Sequence, residues 1–482
     1  MPVTQLPIAN GFYVSDSLPI AAQECTNWYP NIAQGQALSP ETLFGTPGLV
    51  ELASSGTLNN ENRGAHEMAG KPYFVNGSRL YRLDESGTAD NPIYDLVFIN
   101  DIDGTGRVSM ADNGTQLMVL VPGGNGYIYN HVTDTFAQIT DTDFTANGNP
   151  QHVVFIDGYF CVTTDTKKFI VSALNDGLSY NALDFGTAES DPDDIVAPIV
   201  FRNQLFIAGG QTIESFQNIG GADFPFQRTG LYLSKGVKAP FSLVNSQNTF
   251  MFVGGGENEG PAIWGLDGNN TTKLSTTAID SILGRLTEAQ LTAIYAWTYA
   301  QKGAYFVGFS LPTTTLVYDL TSQRWHERKS FLDGELTTFR VSSMTQAYSK
   351  VICGDLIDGR IGSLDFDVYT EYGNPIIRRV STQPFQNNMQ SVFFPSLELT
   401  VESGVGNQDV VDPVITLERS RDGKTWDDPR PRSIGKIGEY NRRAIWRRNG
   451  RASRFEIFRF TLSDAVKPVI IQLTANIVGG DK

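Results

Sequence analysis

A short strand-turn-strand pattern recurs seven times between Tyr73 and Phe366. Each copy is a run of apolar, β-branched or aromatic residues, a turn of Gly, Asn, Asp or Pro, and a second such run. The copies lie at residues 73–81, 117–129, 159–171, 205–216, 250–266, 305–318 and 351–366. Their first residues are 44, 42, 46, 45, 55 and 46 positions apart. This period predicts four-stranded propeller blades, because no copy contains two amphipathic helical stretches.

The seven copies predict an all-β fold built around a seven-bladed β-propeller at residues 61–375. A single blade cannot bury both faces of its sheet, so blades have to stack around an axis. The alternative is a β-sandwich in which hairpins recur at similar spacing. The longest interval holds a helical insert at about 276–300, with short helices predicted at 276–283 and 287–294. We expect this insert to pack on the propeller rim; a face for a partner is the other interpretation.

The balance of charge changes sharply near Ile376. The whole chain has a formal net charge of −15, but from Ile376 onward there are 17 basic and 12 acidic side chains. The preceding part has 20 basic and 40 acidic side chains. Beyond Ile376, Leu397, Leu399 and Val401 alternate with polar residues. We therefore predict a separate, basic C-terminal β-sandwich at residues 376–482.

Residues 1–60 do not fit the repeat and are rich in Pro, Gly, Gln and Asn. We interpret them as an extended N-terminal arm. The arm carries Trp28 and Tyr29, which would be costly to expose, so we expect it to pack on the propeller or on a neighbouring subunit. It can also supply the strand that closes the first and last blades, where sheet edges would otherwise be open.

Several kinds of site are not expected from the sequence. Cys25, Cys161 and Cys353 are too few and too scattered for a disulfide framework or a zinc site. The four histidines have no metal-ligand or catalytic spacing. The first residues contain no secretory signal, and no apolar run has the length of a membrane span. We therefore expect a soluble protein without a cofactor, a metal or a membrane span.

The strongest enzymatic interpretation is a glycosidase. The sequence SRDGKTW at residues 420–426 resembles the aspartate-box turn of sialidases. It occurs once and outside the repeats, whereas a sialidase repeats it from blade to blade and needs a carboxylate pair or a tyrosine nucleophile in its central pit. A hairpin turn stabilised by Asp-Gly and covered by Trp426 is the preferred interpretation. We predict that the chain is not an enzyme; the alternative is a carbohydrate-binding or glycoside-cleaving propeller protein.

Arginines are concentrated at residues 442–451, where the sequence is RRAIWRRNGR. Arginine pairs with carboxylates or phosphates and stacks on aromatic rings. The partner is nucleic acid or an acidic protein surface, such as the acidic portion of an identical subunit; a solvated strand face is the third interpretation. The predicted interface residues are Arg442, Arg443, Trp446, Arg447, Arg448 and Arg451, with Trp28 and Tyr29 of the arm.

Six short motifs in a fixed order carry a family resemblance. They are TPGL at 46–49, GRVSM at 106–110, TAIDSI at 277–282 followed by TE at 287–288, LVYD at 316–319, CGD at 353–355 and RAIWRRNGR at 443–451. In these motifs, and nearly from end to end, the chain resembles the packaged-DNA stabilisation proteins, or tail accessory factors, of short-tailed phages related to P22. It departs from the closest pattern in its arm and in its loop lengths.

The resemblance implies a structural virion protein of which six copies form a tail hub or nozzle ring below the portal and its adaptor ring. Such a ring closes the DNA channel after packaging with a tail needle or plug, and its outside receives tailspikes or fibres. The implied location is the virion tail, with assembly in the host bacterial cytoplasm.

The charges add two expectations to this resemblance. A ring of identical subunits needs two different patches that meet each other, so the arginines near Trp446 are expected to contact a neighbouring subunit or the adaptor. DNA is expected to pass without sequence-specific binding along an acidic or neutral channel surface, because lysines and arginines would hold its phosphates.

Overall fold

The computed structural model describes residues 3–56, 60–188, 193–221, 224–386 and 390–480. Strands form nearly all of the regular structure in these ranges. Seven strands precede the repeats: β1 (Val3–Leu6), β2 (Tyr13–Val14), β3 (Ala22–Gln23), β4 (Cys25–Thr26), β5 (Trp28–Ile32), β6 (Glu41–Gly45) and β7 (Gly48–Ser54).

Seven sheets then follow, and each contains one of the predicted hairpins as its two central strands. Sheet 1 consists of β8 (Asn62–Met68), β9 (Lys71–Asn76), β10 (Arg79–Thr88) and β11 (Asn91–Asp101); sheet 2 of β12 (Ser109–Asp112), β13 (Gln116–Leu120), β14 (Gly126–Asn130) and β15 (Thr135–Gln138); sheet 3 of β16 (Pro150–Ile156), β17 (Tyr159–Thr164), β18 (Lys168–Ala173) and β19 (Asp176–Thr187). Sheet 4 consists of β20 (Ile195–Phe201), β21 (Gln204–Gly209), β22 (Ile213–Asn218) and β23 (Phe226–Leu233); sheet 5 of β24 (Gly236–Val237), β25 (Val244–Ser246), β26 (Thr249–Gly255), β27 (Ala262–Asp267) and β28 (Asn270–Lys273). Sheet 6 consists of β29 (Tyr295–Gln301), β30 (Ala304–Ser310), β31 (Thr315–Asp319) and β32 (Arg324–Leu332), with β33 (Glu335–Thr338) paired to β32; sheet 7 begins with β34 (Val341–Ala347), β35 (Lys350–Asp355) and β36 (Arg360–Asp365).

The central strands of these sheets are continuous apolar runs because both of their faces are covered. Val75 of sheet 1 packs with Leu117 of sheet 2, and equivalent clusters join each later sheet to the next. The series closes where Phe74 of sheet 1 packs with Ile352 of sheet 7. Sheets that stack in succession, with the last against the first, have the packing of a β-propeller.

The fourth strand of sheet 7 comes from the N-terminal arm. Strand β7 runs antiparallel to β36, with Gly48 opposite Asp365 and Ser54 opposite Arg360. The expectation that the arm supplies the closing strand is therefore confirmed. Beyond β7 the sheet continues into the short strands β37 (Thr370–Glu371) and β38 (Asn374–Pro375).

The rest of the chain forms a β-sandwich. Its strands are β39 (Arg378–Ser381), β40 (Val392–Val401), β41 (Val414–Ser420), β42 (Arg430–Ser433), β43 (Ala444–Arg447), β44 (Arg451–Ala452), β45 (Ile457–Leu462) and β46 (Val469–Gly479). One sheet has the order β43-β40-β46-β6-β5, and the other has β39-β45-β41-β42. Side chains such as Leu397, Leu473, Leu417 and Phe460 are buried between the two sheets.

The arm contributes strands to both sheets of the sandwich as well. Strand β1 pairs with β46, with Val3 opposite Asn476, and β6 pairs with the other end of β46. Strand β4 lies between β39 of the sandwich and β32 of sheet 6. The same short segment is thus hydrogen-bonded to the sandwich and to the propeller.

Asn27 of the arm connects three parts of the chain at the centre of this junction. Its side-chain amide donates to the carbonyls of Lys329 (2.9 Å) and Ile377 (2.8 Å) and accepts from the backbone N–H of Lys329 (3.0 Å). Asn27 is buried and has a φ of 59°, a left-handed conformation that Asn tolerates better than most residues. Its backbone carbonyl accepts from the N–H of Thr46 (3.0 Å).

The helical insert forms helices α1 (Thr277–Gly284) and α2 (Glu288–Thr292). The Thr276 side chain caps α1, and Thr287 with Gln290 forms the predicted capping box of α2. Helix α1 buries Ile279 and Leu283 against the chain's own core, which confirms rim packing for this helix. Helix α2 buries no residue, and it ends earlier than predicted because Tyr295 begins β29.

Candidate functional site

Strand β43 presents the arginine-rich segment at one edge of the sandwich. It is the last strand of its sheet and pairs with β40 on one side only. Because side chains alternate along a strand, Ala444 and Trp446 point into the core while their neighbours face outward. The Trp446 indole packs 5.5 Å from the Phe460 ring and donates to the carbonyl of Arg430 (2.7 Å). Burial of this indole fixes the outward direction of the arginines around it.

The arginine side chains of this segment differ in their hydrogen-bond and ion-pair partners. Arg443 donates to both carboxylate oxygens of Glu398 (2.6 and 2.5 Å), and these hydrogen bonds lower the pKa of Glu398. Arg451 donates to the Ser391 hydroxyl (2.8 Å). Arg442, Arg447 and Arg448 are exposed and form no ion pair within the described ranges. We call these last three residues the arginine surface.

The structure corrects the assignment of three aromatic residues to an interface. Trp28, Tyr29 and Trp446 have relative exposures of 1%, 6% and 0%, so their side chains belong to the core of the chain itself. The Tyr29 ring contacts the Phe306 ring edge-on, with 5.1 Å between centroids. The expected cost of exposing Trp28 and Tyr29 is avoided by packing within one chain, which leaves the arginines as the accessible part of the predicted interface.

Two basic residues near this segment were missed in the sequence. Nη1 of Arg419 donates to the carbonyl of Asn449, and Nε of Arg421 lies 3.5 Å from the buried carboxylate of Glu456. Nη2 of Arg421 lies near Gly450, because a Cβ built on that glycine would be 4.0 Å from it. Residues 421 and 450 are too far apart in sequence for a local pattern to connect them.

The aspartate-box-like turn is a closed structural turn, as preferred from the sequence. The Asp422 carboxylate accepts from the N–H groups of Lys424 and Thr425 (both 2.8 Å) and from the Thr425 hydroxyl (2.7 Å). These hydrogen bonds, led by that of the Thr425 N–H, hold the pKa of Asp422 well below its usual range. The Arg459 guanidinium lies over the Trp426 ring, with its central carbon 3.8 Å from the ring centroid. The Asp422 carboxylate oxygens therefore accept hydrogen bonds from within the turn itself.

A cavity of about 440 Å³ lies where the inner edges of all seven sheets meet. The residues described around it include no Asp or Glu. Arg107 reaches across it, with its guanidinium 4.0 Å from the Tyr295 ring centroid and 2.9 Å from the Ser342 carbonyl. His152 also lines the cavity, and burial lowers its pKa to about 4. The described part of the lining contains no carboxylate pair of the kind that a glycosidase pit requires.

Within the ranges that the structure covers, no three His, Cys, Asp or Glu side chains form a metal-binding group. None of the helices in those ranges has the length and apolar character to cross a membrane. The three cysteines are buried, which agrees with a packing role for each.

The fold and this edge define an all-β protein in which a propeller and a sandwich share one N-terminal arm, with unpaired arginines on the sandwich. Two family descriptions match it: Bacteriophage P22 Gp10, beta-propeller, over residues 4–369, and Bacteriophage P22 Gp10, beta-sandwich, over residues 377–478. The chain belongs to the P22 Gp10 family.

The chain is also similar to individual proteins. The tail hub protein gp10 of Salmonella phage P22 is 24% identical over 448 residues, which cover 87% of this chain and 91% of that protein. Among solved structures, the WD40 β-propeller domain of Doa1 is similar with a TM-score of 0.41 and 14% identity, covering 66% of this chain and 98% of that domain.

Proposed function

We propose that this protein is a structural component of a phage tail and serves there as the tail hub. The observation that carries the proposal is the similarity to the tail hub protein gp10 of Salmonella phage P22 along nearly the whole of both chains. A structural role also agrees with a central cavity whose described lining holds no carboxylate. On this proposal the protein is not an enzyme and is assembled in the host bacterial cytoplasm.

The propeller of this hub has seven blades, one for each of the seven sheets. Support comes from the apolar clusters that join each sheet to the next and sheet 7 to sheet 1. The shared cavity adds to this, because every sheet contributes its inner edge to the lining. The proposed division of the chain is an arm at 1–60, a propeller at 61–375 and a basic sandwich at 376–482.

The hub consists of several copies, six in the proposal, arranged as a ring around the DNA channel. A closed ring needs a heterologous interface in which one patch of each copy meets a different patch of the next. The arginine surface is one suitable patch, because Arg442, Arg447 and Arg448 have no partner in the described part of their own chain. The acidic portion before Ile376 can supply the other.

The proposed partners of the ring are the portal-adaptor ring, a tail needle or plug, and a tailspike or fibre. DNA passes along the channel without sequence-specific binding. The central cavity of a single propeller is too small for a duplex, since its volume is about 440 Å³ and the Arg107 side chain occupies part of the space. The DNA path therefore lies between copies.

Charge reversal at the arginine surface tests this proposal. Particles are made in cells whose only copy of the protein carries Arg447→Glu and Arg448→Glu, and the protein per particle is measured by mass spectrometry. We expect at least about a tenfold loss of incorporation, because like charges placed across an interface cost several kcal/mol. Circular dichroism of the purified variant should match the wild type, since both side chains are exposed.

The control variant carries Arg202→Glu and Lys302→Glu at exposed turns of the propeller. It makes the same change of net charge and should be incorporated normally. Normal incorporation of the Arg447 and Arg448 variant would show that the arginine surface is not part of the interface. If the wild-type protein were absent from tails, the proposal that it is the tail hub would be wrong.

A further inference from the structure

The arginine surface lies along a straight edge with an apolar end. Arg442 precedes β43, Arg447 is its last residue and Arg448 follows it, so the surface is roughly 20 Å long at the rise of an extended strand. At the Arg442 end, Ile437 and Tyr440 have relative exposures of 75% and 74%. These two side chains add exposed apolar area to this end of the arginine surface.

The outer part of sheet 1 has the opposite charge and a similar length. Strand β9 pairs with β10 only as far as Arg82, so residues 83–96 of β10 and β11 project as a two-stranded ribbon. We call this ribbon the acidic hairpin. It contains four acidic residues and no basic ones. Its six cross-strand pairs, from Leu83 with Leu96 to Thr88 with Asn91, span roughly 20 Å.

The two faces of the acidic hairpin differ. Tyr94 and Leu96 turn toward sheet 7, where they join the cluster around Ile352. Ile93 and Asp95 alternate with them and are exposed, Ile93 by 52%. Asp95 and Asp90, which lies in the turn, form no ion pair within the described ranges. The outward face thus offers unpaired carboxylates around an exposed apolar side chain.

We propose that the acidic hairpin of one copy docks on the arginine surface of the next copy. The inference rests on the proposed ring and names its two contacting patches. Asp90 and Asp95 would face the guanidinium groups, and Ile93 would pack near Ile437 and Tyr440. The match of charge, apolar content and length favours this occupant over nucleic acid, whose phosphates offer no apolar side chain.

Two charge-reversed proteins test the contact in a way that one alone cannot. The hairpin variant carries Asp90→Arg and Asp95→Arg, so the two hairpin positions that would face the arginine surface become positive. The arginine variant carries Arg447→Glu and Arg448→Glu, so both of its patches are negative. Each variant repels itself, but the hairpin of either one is complementary to the arginine surface of the other. Alternation of the two variants closes a ring with an even number of copies.

Each variant supplied alone should be incorporated into particles at least about tenfold less than the wild type, whereas co-expression should restore incorporation to within about twofold. Mass spectrometry of the particles should then find the two variants in equal amounts. Co-expression of the hairpin variant with the Arg202→Glu and Lys302→Glu protein should give particles that contain the control protein, while incorporation of the hairpin variant stays as low as when it is supplied alone. All proteins are first checked for wild-type circular dichroism.

The contact is overturned if the hairpin variant is incorporated normally by itself, or if co-expression fails to restore two variants that are folded and separately defective. Failure of rescue while wild-type protein still occupies tails would leave the hub proposal standing and assign the arginine surface to another tail protein.

Discussion

His326 shows how one buried side chain limits the pH range of the fold. It lies on β32 with no exposed surface, its ring stands edge-on to Phe306 with 5.7 Å between centroids, and neither ring nitrogen has a hydrogen-bond partner in the described ranges. Burial, with a smaller contribution from Arg328, lowers its pKa to about 3. The imidazole is therefore neutral in the folded protein.

We expect His326 to make the protein sensitive to acid. The pKa of His326 in the folded protein lies below its value of 6.5 in the unfolded chain. Between these two pKa values the imidazole is protonated in the unfolded chain but not in the folded protein. The contribution of neutral His326 to the free energy of unfolding is fully present above pH 6.5 and is lost progressively as the pH falls toward 3. At pH 5 the loss is about 2 kcal/mol. His326→Phe should remove this part of the difference between urea unfolding at pH 7 and at pH 5.

The matched control for this measurement is His131→Gln, at a partly exposed turn position. Because this variant keeps His326, the part of the difference that comes from His326 should remain. An equal pH dependence in the wild type and in His326→Phe would show that the imidazole is not the group that titrates.

Strand β7 is the element on which closure of the propeller depends. In the sequence, β7 comes before sheet 1, whereas the other strands of sheet 7 come after sheet 6. It nevertheless supplies the fourth strand of sheet 7. Leu49 is buried at 1% exposure and packs in the cluster between sheets 6 and 7. Glu51, two residues later on the same strand, is exposed. The strand therefore offers an internal comparison between packing and surface positions.

Leu49→Ala should lower the free energy of unfolding by about 3 kcal/mol, because it leaves a cavity between two sheets. Glu51→Ala should change it by less than about 0.5 kcal/mol. Thermal melting and urea titration of the two variants measure the difference. Similar stabilities for both would mean that β7 can leave its sheet without loss.

At the scale of whole elements, the sequence predicted most of the architecture. Apolar runs separated by turns identified all seven hairpins, because a strand covered on both faces needs no polar alternation. The capping-box spacing of Thr287 and Gln290 identified the start of the second helix. Trp28 and Trp446 were assigned to an interface but are buried in the core, since local sequence does not say which face of a strand meets the core. Arg421 was missed because only the folded turns bring it to Gly450.

The whole molecule is held together by its arm. Strands β1, β5 and β6 belong to one sandwich sheet, β4 joins the second sandwich sheet to sheet 6, and β7 closes sheet 7. Asn27 adds side-chain hydrogen bonds to Lys329 of the propeller and to Ile377 before the sandwich. Removal of the arm would open edges on three sheets at once, which exposes unpaired backbone groups in each.

We therefore expect the arm to remain bound after its covalent link is cut. A protease site inserted between β7 and β8 allows the cut to be made in the purified, folded protein. The arm should elute with the rest of the chain in gel filtration and should separate only in denaturant. A chain that starts at residue 61 should be insoluble when expressed alone. Release of the cut arm under native conditions would contradict this view of the molecule.

Pairing of Val3 with Asn476 also sets the order of events during translation. The arm leaves the ribosome first, but β46, its partner, is made last, after about half a minute to a minute and a half of synthesis at bacterial rates. A nascent chain interrupted before β46 cannot complete the sandwich sheet that carries β43. Premature products therefore lack an ordered arginine edge.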